Sequence, residues 1–227
     1  LRSRVFLTSA NSINVARWLP QQFYYFFAWK QWADKNNPPV VAVPSGNFGN
    51  ICAGILARQT GLPLQHFIAA CNINDVVSPY LQTGNWQTKK AVATLSNAMD
   101  VANPSNFVRI LEIFNQEFST VSSALSSATV TDAETEATIK AVYEETGYLL
   151  DPHGAVGYLA LKQYLEQHGG KGIFLETAHP VKFPEAVERI TGKPVAIPKA
   201  VQTIMDAPKK SELMEVSYEK LRAFLLQ

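Results

Sequence analysis

The sequence predicts an α/β fold built around a parallel β-sheet. Residues 40–43 form a continuous Val-Val-Ala-Val run, which is typical of a strand buried on both faces. A turn rich in Gly, Ser and Asn follows, and then a helix that ends at residues 60–63, where a Gly and a Pro stop it. A second apolar stretch at 64–71 completes a βαβ unit. Such units have parallel strands, and their ligand sites lie at the carboxyl ends of those strands.

The composition is that of a globular protein without a polymeric partner. The chain has 227 residues, 47% of them hydrophobic, and a net charge of +1 from scattered charges. Nucleic acid is therefore not indicated. Cys52 and Cys71 fit apolar packing positions in a reducing compartment, so we expect a cytoplasmic protein. No apolar run approaches the roughly 20 residues of a membrane span, and the chain start lacks a signal-peptide pattern.

The segments before the first strand predict one strand and one helix. Residues 5–8 are typical of a strand that leads into a helix. The apolar stretch 18–32 is interrupted by polar residues at helical spacing, so we expect a core-packed helix there. Because the chain begins at Leu1 rather than Met, we interpret it as the C-terminal part of a longer enzyme.

The segment at about 75–147 predicts a mainly helical elaboration. It contains a capping box, Thr131-x-x-Glu134. Its Ser-rich part, 119–127, is interrupted by apolar residues, so we expect a helix or an ordered loop rather than a linker.

The sheet is expected to resume in the last third of the chain. Asp151-Pro152 predicts the start of a helix that ends near Gln167, and 172–175 is expected to be a short buried strand. The tail from Lys209 predicts one amphipathic helix.

The turn after the first strand predicts an anion-binding cradle. Gly46 and Gly49 allow positive φ and close approach to a ligand, and Ser45 and Asn47 add side-chain donors beside the free amides of the helix start. The turn lacks the glycine pattern of a dinucleotide fold and the Gly-Lys-Ser/Thr ending of a P-loop. An ordinary strand-to-helix turn with Asn50 as N-cap is the alternative.

Four segments carry a resemblance to one family. Ser45-Gly46-Asn47-Phe48-Gly49-Asn50 resembles the pyridoxal-phosphate phosphate loop of threonine synthase. Residues 9–14, 94–101 and 177–183 fit the same family in the same order. The resemblance covers nearly the whole chain and is closest to the microbial form of the enzyme.

The resemblance implies a fold-type II pyridoxal-phosphate architecture, like that of tryptophan synthase β. Residues 1–227 would be the large cofactor-binding portion, and the N-terminal domain of the parent enzyme would be absent. Thr177 would hydrogen-bond the pyridine nitrogen of pyridoxal 5'-phosphate, although a plain strand-end hydroxyl is the alternative. The residues expected to bind the cofactor are Ser45, Gly46, Asn47, Phe48, Gly49 and Thr177.

The implied reaction converts O-phospho-L-homoserine and water to L-threonine and phosphate. A second phosphate site is then needed, for which Asn97, Arg109 and Lys182 are the candidates. Arg109 is alternatively a solvated helix residue, and Lys182 alternatively caps a helix. The supporting donors would be Ser12, Asn14 and Ser96.

No lysine of the chain is assigned as the Schiff-base residue. The family carries that lysine in an N-terminal Phe-Lys-Asp context, and none of the lysines, including Lys30, Lys89, Lys90 and Lys182, has this context. No catalytic residue is therefore assigned, and we expect the isolated chain to be inactive.

The histidines predict no metal site. His66, His153 and His168 are too dispersed along the sequence to form one. His179 could act as a proton shuttle, but a structural histidine before a proline is the favoured interpretation.

Two other functions remain open. One is another fold-type II lyase, such as a serine or threonine dehydratase, against which residues 96–99 argue. The other is a non-catalytic phosphate- or cofactor-binding module.

Overall fold

The computed structural model describes residues 4–6, 8 and 11–227 in two compact units. One unit comprises residues 12–195, and the other comprises the described residues before 12 together with 196–227. The predicted strand at 5–8 includes Leu7, which lies outside the described residues. No helix in the described part of the chain combines the length and apolar character needed to cross a membrane.

The larger unit contains a four-stranded sheet with the order β3-β2-β1-β4, in which every pairing is parallel. Val40 lies opposite His66 on one side and opposite Gly172 on the other. The predicted α/β class and parallel sheet are confirmed. The strands are β1 Val40–Pro44, β2 His66–Cys71, β3 Leu125–Thr129 and β4 Gly172–Phe174.

The helices of the two units are numbered in chain order. The larger unit also has 3-10 turns at Leu19–Gln21, Asn97–Met99 and Pro180–Lys182. Its α-helices are α1 Val15–Trp18, α2 Gln22–Gln31, α3 Gly49–Gln59, α4 Val77–Thr83, α5 Phe107–Ile113, α6 Phe118–Ala124, α7 Asp132–Thr146, α8 Pro152–His168 and α9 Pro184–Thr191. The smaller unit has α10 Lys199–Met205 and α11 Tyr218–Leu225.

The βαβ unit β1-α3-β2 is formed as the sequence predicts. Ile51 and Ile55 of α3 are buried against one face of the sheet, and Val156 and Ala160 of α8 are buried with the other. Because both faces are covered, all five residues of β1 are buried. This arrangement places the turn after β1 at a fixed position on the sheet edge.

Strand β3 was missed by the sequence analysis, which expected a helix or loop at 119–127. The Ser-rich segment divides instead between α6 and the edge strand β3. The Ser127 hydroxyl donates to the carbonyl of Ala69 over 3.2 Å, and Leu125 is fully buried. Strand formation here depends on pairing with β2, which the local composition does not encode.

The expectation of one core-packed helix at 18–32 is wrong. Pro20 lies in a 3-10 turn that separates α1 from α2. On α2 only Tyr25 is buried, and its hydroxyl donates to the carbonyl of Asn50 over 2.9 Å. Aromatic residues of α2 instead face outward, with Phe23 and Phe27 each 62% exposed.

Both predicted helix starts in the last half are confirmed. Thr131 and Glu134 form the reciprocal capping box at the start of α7. Asp151 caps α8 by accepting a hydrogen bond from the backbone amide of His153 over 2.8 Å. The strand expected at 172–175 is one residue shorter and only half-buried, because β4 lies at the sheet edge. In the tail the helix α11 begins only at Tyr218.

We expect Gly54→Ala to destabilise the larger unit by about 1–3 kcal/mol, because a Cβ on Gly54 would overlap the ring of buried Tyr25. Urea unfolding measures the change. Gly157→Ala is the control, since its Cβ would meet Pro44 Cγ at 3.3 Å and should cost less. Equal stability of both variants and the wild type would contradict this packing.

Candidate functional site

A cavity of about 680 Å³ opens at the carboxyl ends of β1 and β4. Its walls come from four places in the chain: the turn after β1, the 3-10 turn at 97–99, the start of α8 and the segment after β4. One face of α2 completes the lining. The lining residues include Ser12, Tyr24, Phe27, Gly46, Asn47, Phe48, Gly49, Asn50, Ala98, Met99, His153, Glu176 and Thr177.

The turn after β1 achieves its shape differently from the expectation. Neither Gly46 nor Gly49 has positive φ; Phe48 has it instead, at 61°. The Phe48 ring packs edge-to-face on Phe107, with 5.5 Å between centroids, which supports this strained backbone. Gly46 is required for another reason, since its Cβ would lie 2.5 Å from Met99 Cα.

The cradle is formed by backbone amides at the start of α3. The first intrahelical bond there runs from the Cys52 amide to the Phe48 carbonyl, so the amides of residues 49–51 precede the helical ladder. Asn50 is not the N-cap, because α3 begins at Gly49 with Phe48 in the cap position. These amides and the helix dipole favour an anion at this edge of the cavity.

The side chains of Ser45 and Asn47 brace the turn rather than pointing donors into the cavity. The Ser45 hydroxyl donates to the Val43 carbonyl over 2.8 Å, and Ser45 does not line the cavity. The Asn47 side chain donates to the Ser12 hydroxyl over 2.6 Å and accepts from the Ser105 amide over 2.7 Å. Both side chains therefore make their hydrogen bonds to other groups of the protein.

Asn106 is a site residue that the sequence analysis missed. It is fully buried and donates to the carbonyls of Asn47, over 2.9 Å, and Ser12, over 3.2 Å. Arg109 in turn donates to the Asn106 side chain and to the Ile13 carbonyl. Since 59 residues separate Asn47 from Asn106, no local pattern reveals this contact.

Thr177 lines the same cavity as the cradle, three residues beyond the end of β4. Since β4 pairs directly with β1, the two sites share one sheet edge. The predicted hydrogen bond from Thr177 to the cofactor stays a prediction.

The three residues suggested for a second phosphate are not gathered on the cavity wall. Asn97 is exposed, and only its neighbours Ala98 and Met99 line the cavity. Arg109 donates to the Asn106 side chain and to the Ile13 carbonyl, and it does not line the cavity. The Lys182 ammonium lies 5.9 Å from the ring centroid of Phe183.

Of the supporting donors, only Ser12 lines the cavity. Asn14 caps α1 by accepting from the Ala16 amide over 3.1 Å. Ser96 is buried beside the side chain of Asn72, 3.2 Å away.

Of the four histidines, His179 has a structural role and His153 lies at the cavity. His179 caps the 3-10 turn by accepting from the Val181 amide over 3.1 Å, in agreement with the structural interpretation. His153 is buried and lines the cavity, which the sequence analysis did not predict. Within the described ranges, no group of three or more His, Cys, Asp or Glu residues is arranged to hold a metal ion.

His153 is held from both sides of its ring. Its Nδ1 lies 2.7 Å from Asp151 Oδ1, and its Nε2 accepts from the Ala98 amide over 3.2 Å. The Asp before the Pro at the start of α8 is the one local signal that could have identified this pair.

Glu176 adds a carboxyl group to the same corner of the cavity. Glu176 is exposed as a whole residue, but partial burial of its carboxyl group and the neighbouring Asp151 carboxyl group raise the pKa of Glu176 to about 8. Burial alone would raise the pKa of Asp151, but hydrogen bonds with His153 and Glu176 hold it below its usual value. The two carboxyl groups therefore differ in protonation at neutral pH.

Comparison with known proteins agrees with the resemblance. Residues 154–225 match the family model described as threonine synthase, C-terminal. The threonine synthase of Haemophilus influenzae is 46% identical to the chain, over 100% of the chain and 53% of that protein. The chain belongs to the threonine synthase family.

Solved structures of this family share the fold. The Escherichia coli threonine synthase superposes with a TM-score of 0.87 at 43% identity, over 97% of this chain and 51% of that one. The threonine synthase from Brucella melitensis, described as pyridoxal-phosphate-bound, has a TM-score of 0.88 at 31% identity, over 99% and 53%. The expected fold-type II architecture is confirmed. The chain spans about half the length of the curated threonine synthases it matches.

In the turn after β1, Gly46→Ala is expected to be far more damaging than Gly49→Ala. The new Cβ at Gly46 would meet backbone atoms of Ala98 and Met99, whereas the nearest atom to a Cβ on Gly49 lies at 3.4 Å. We expect Gly46→Ala to lower the free energy of unfolding by about 1–3 kcal/mol and to weaken the binding of inorganic phosphate. Urea unfolding and phosphate titration by calorimetry measure both, and equal effects of the two variants would refute the assignment.

Glu176→Gln should change how stability depends on pH. Because the folded protein holds a proton on Glu176 up to about pH 8 and the unfolded chain releases it near 4.5, the wild type loses stability as pH rises through this window. The Gln variant lacks this loss, so its stability relative to wild type should increase from pH 5 to 8 and then level off. Urea unfolding across this pH range tests it; a constant difference would contradict the raised pKa.

Proposed function

We propose that the chain is the cofactor-binding portion of a threonine synthase, which converts O-phospho-L-homoserine and water to L-threonine and phosphate. The observation that carries the proposal is the amide cradle at the end of β1, which shares one cavity with Thr177. Family membership then selects pyridoxal 5'-phosphate among the phosphates that such a cradle could hold.

The cavity residues fit pyridoxal 5'-phosphate. The amides at residues 49–51 would bind the phosphate dianion together with the α3 dipole, and Gly46 allows the turn to lie directly against the backbone of Ala98 and Met99. Phe48 shapes the turn, and Ser45 and Asn47 brace it. The Thr177 hydroxyl would hydrogen-bond the ring nitrogen, and the cofactor, when bound, would supply an electron sink for chemistry at the amino-acid carbon.

The lysine that binds the cofactor covalently is supplied by another part of the enzyme in this proposal. Among the residues that the structure describes, none of those lining the cavity is a lysine. The matched threonine synthases are about twice as long as the chain, which leaves room for such a segment. The missing part is the N-terminal domain expected from the resemblance.

That N-terminal part is proposed to cover the open side of the cavity. Tyr24 and Phe27 of α2 line the cavity and are 56% and 62% exposed. Burial of such aromatic side chains is a strong driving force for association, and it would also exclude water from the cofactor.

The substrate phosphate would need a second site beside the cradle. Asn97 and Lys182 stay candidates, because their exposed side chains lie next to segments that form the cavity wall. Arg109 acts by bracing Asn106. A cytoplasmic location also stays a prediction.

Two alternatives are distinguished by experiment. A serine or threonine dehydratase is less well supported, because the matched curated relatives at 40–46% identity are threonine synthases. A non-catalytic binding module would bind the cofactor but never act, even when the rest of the enzyme is added.

The chain alone, with excess pyridoxal phosphate, should make no threonine from O-phosphohomoserine. Loss of a general base alone commonly lowers rates by about 10²- to 10⁴-fold. Coexpression with the N-terminal half of a matching threonine synthase should restore turnover, as measured by phosphate release. Ordinary turnover by the chain alone would mean that one of its own lysines is catalytic, and no turnover of the reconstituted protein would favour the binding module.

Thr177→Val should weaken pyridoxal-phosphate binding about two- to tenfold, because it keeps the side-chain shape and removes one hydrogen bond. Thr177→Ser keeps the hydroxyl and is the matched control. Cofactor absorbance titrations of the reconstituted protein give both affinities. If the Val and Ser variants bind equally well, Thr177 is only a strand-end hydroxyl.

A further inference from the structure

The corner of the cavity formed by Asp151, His153 and Glu176 contains a buried oxygen without a donor. Asp151 is completely buried, and its Oδ1 accepts from both the amide and the Nδ1 of His153. Its Oδ2 is buried and receives no hydrogen bond from any N–H or hydroxyl group of the described chain. An unpartnered buried carboxylate oxygen is costly, so a proton donor is expected nearby.

Glu176 is placed to be that donor. Its Oε1 accepts a hydrogen bond from the Asp151 amide over 3.5 Å, and its carboxyl group is close enough to that of Asp151 for the two to interact. Two carboxyl groups in such contact cannot both be ionised without strong repulsion, so one of them keeps a proton. The Asp151 carboxylate is the one that faces His153, which leaves the proton on Glu176.

Gly154 makes the contact possible. A Cβ on this residue would overlap both carboxyl oxygens of Glu176. The carboxyl group therefore occupies space that is open only because residue 154 is glycine. The overlap involves the end of a flexible side chain, so a larger residue would displace Glu176 without breaking the helix.

The hydrogen bonds of His153 fix its tautomer. Because Nε2 accepts from the Ala98 amide, it carries no proton, and Nδ1 carries the proton that points to Asp151. A doubly protonated ring would place an N–H against the Ala98 N–H. The neutral ring thus accepts a hydrogen bond from the 3-10 turn at 97–99. The backbone of Ala98 and Met99 in this turn lies directly against Gly46 of the cradle.

We propose that Glu176, Asp151 and His153 form a proton-holding unit that positions the cavity wall. Glu176 is a neutral carboxylic acid that donates to Asp151 Oδ2, and Asp151 holds His153 as its Nδ1–H tautomer. His153 then anchors the 97–99 turn over the cradle. These are positioning residues, since their effect on a bound phosphate passes through Ala98 and Gly46.

Few other charged groups face this unit. Tyr148 lies in the loop before α8, and burial together with the nearby carboxyl groups of Glu176 and Asp151 raises the pKa of its phenol. On the other side, the centroids of the Phe183 and His153 rings lie 5.0 Å apart, and the Lys182 ammonium lies 5.9 Å from the centroid of the Phe183 ring. The raised pKa of Glu176, about 8, agrees with a proton retained at neutral pH.

Infrared spectroscopy reads the proton directly. With Glu side-chain carboxyls labelled with ¹³C, the wild-type chain at pH 6.5 should show a carboxylic-acid carbonyl band that Glu176→Gln lacks. Gly154→Ala should also abolish the band, because it displaces the Glu176 carboxyl without changing any titratable group. Gly157→Ala, on the same helix, is the matched control and should keep it. Absence of the band in the wild type would overturn the proposal.

Nitrogen NMR of ¹⁵N-histidine-labelled chain reads the tautomer. His153 should be protonated at Nδ1 and unprotonated at Nε2 at pH 6.5, with its signal assigned from His153→Gln. An Nε2–H tautomer or a doubly protonated ring in the wild type would contradict the proposal.

Binding of inorganic phosphate tests the positioning role, which rests on the proposed function. Glu176→Ala should weaken binding about three- to tenfold and shift the Ala98 amide resonance, whereas Glu176→Gln, which can still donate, should remain within about twofold of wild type. Equal affinities and an unmoved Ala98 resonance in Glu176→Ala would refute the positioning role. A wild type that shows the carboxylic-acid band but binds neither phosphate nor pyridoxal phosphate would contradict the proposed function while supporting the proton-holding unit.

Discussion

The cavity depends on one close approach, between the backbone of Gly46 and the backbone of Ala98 and Met99. This contact joins the end of the central strand β1 to a turn about 50 residues later in the chain. Only a residue without a Cβ permits it. The cradle amides, the His153 anchor and the cavity opening are all set relative to this contact, since the 97–99 turn is held by Gly46 from one side and by His153 from the other.

The surroundings of the cradle are polar but contain little charge. Asn47 and Asn106 connect the turn to Ser12 and Ser105 through side-chain hydrogen bonds, and Arg109 completes this network from its outer side. Buried amides provide donors and acceptors in fixed directions without the desolvation cost of ionised groups. The network lies beside Phe48, which has a left-handed conformation, and the backbone amides of residues 49–51 have no partner within the helix.

The opposite wall of the cavity, at the start of α8, contains ionisable groups. Asp151 caps α8 and orients His153, so one carboxylate serves both the helix and the cavity. Glu176 follows β4 and meets Asp151 above Gly154, which connects the sheet edge to the helix start. The two walls of the cavity thus differ: one presents backbone amides at the start of α3, and the other presents the side chains of His153 and Glu176.

The sequence by itself determined the βαβ unit, the two helix starts at Thr131 and Asp151 and the position of the glycine-containing turn after β1. These features depend on neighbours within a few residues. The tertiary structure alone decided the rest. The strand β3 forms only through pairing with β2, and α2 exposes aromatic residues that its composition placed in the core. Likewise, the engagement of Ser45 and Asn47, the buried Asn106 and the Asp151–His153–Glu176 contact join residues whose separation in sequence hides them. Their roles follow from hydrogen-bond partners and burial, which exist only once the sheet has assembled.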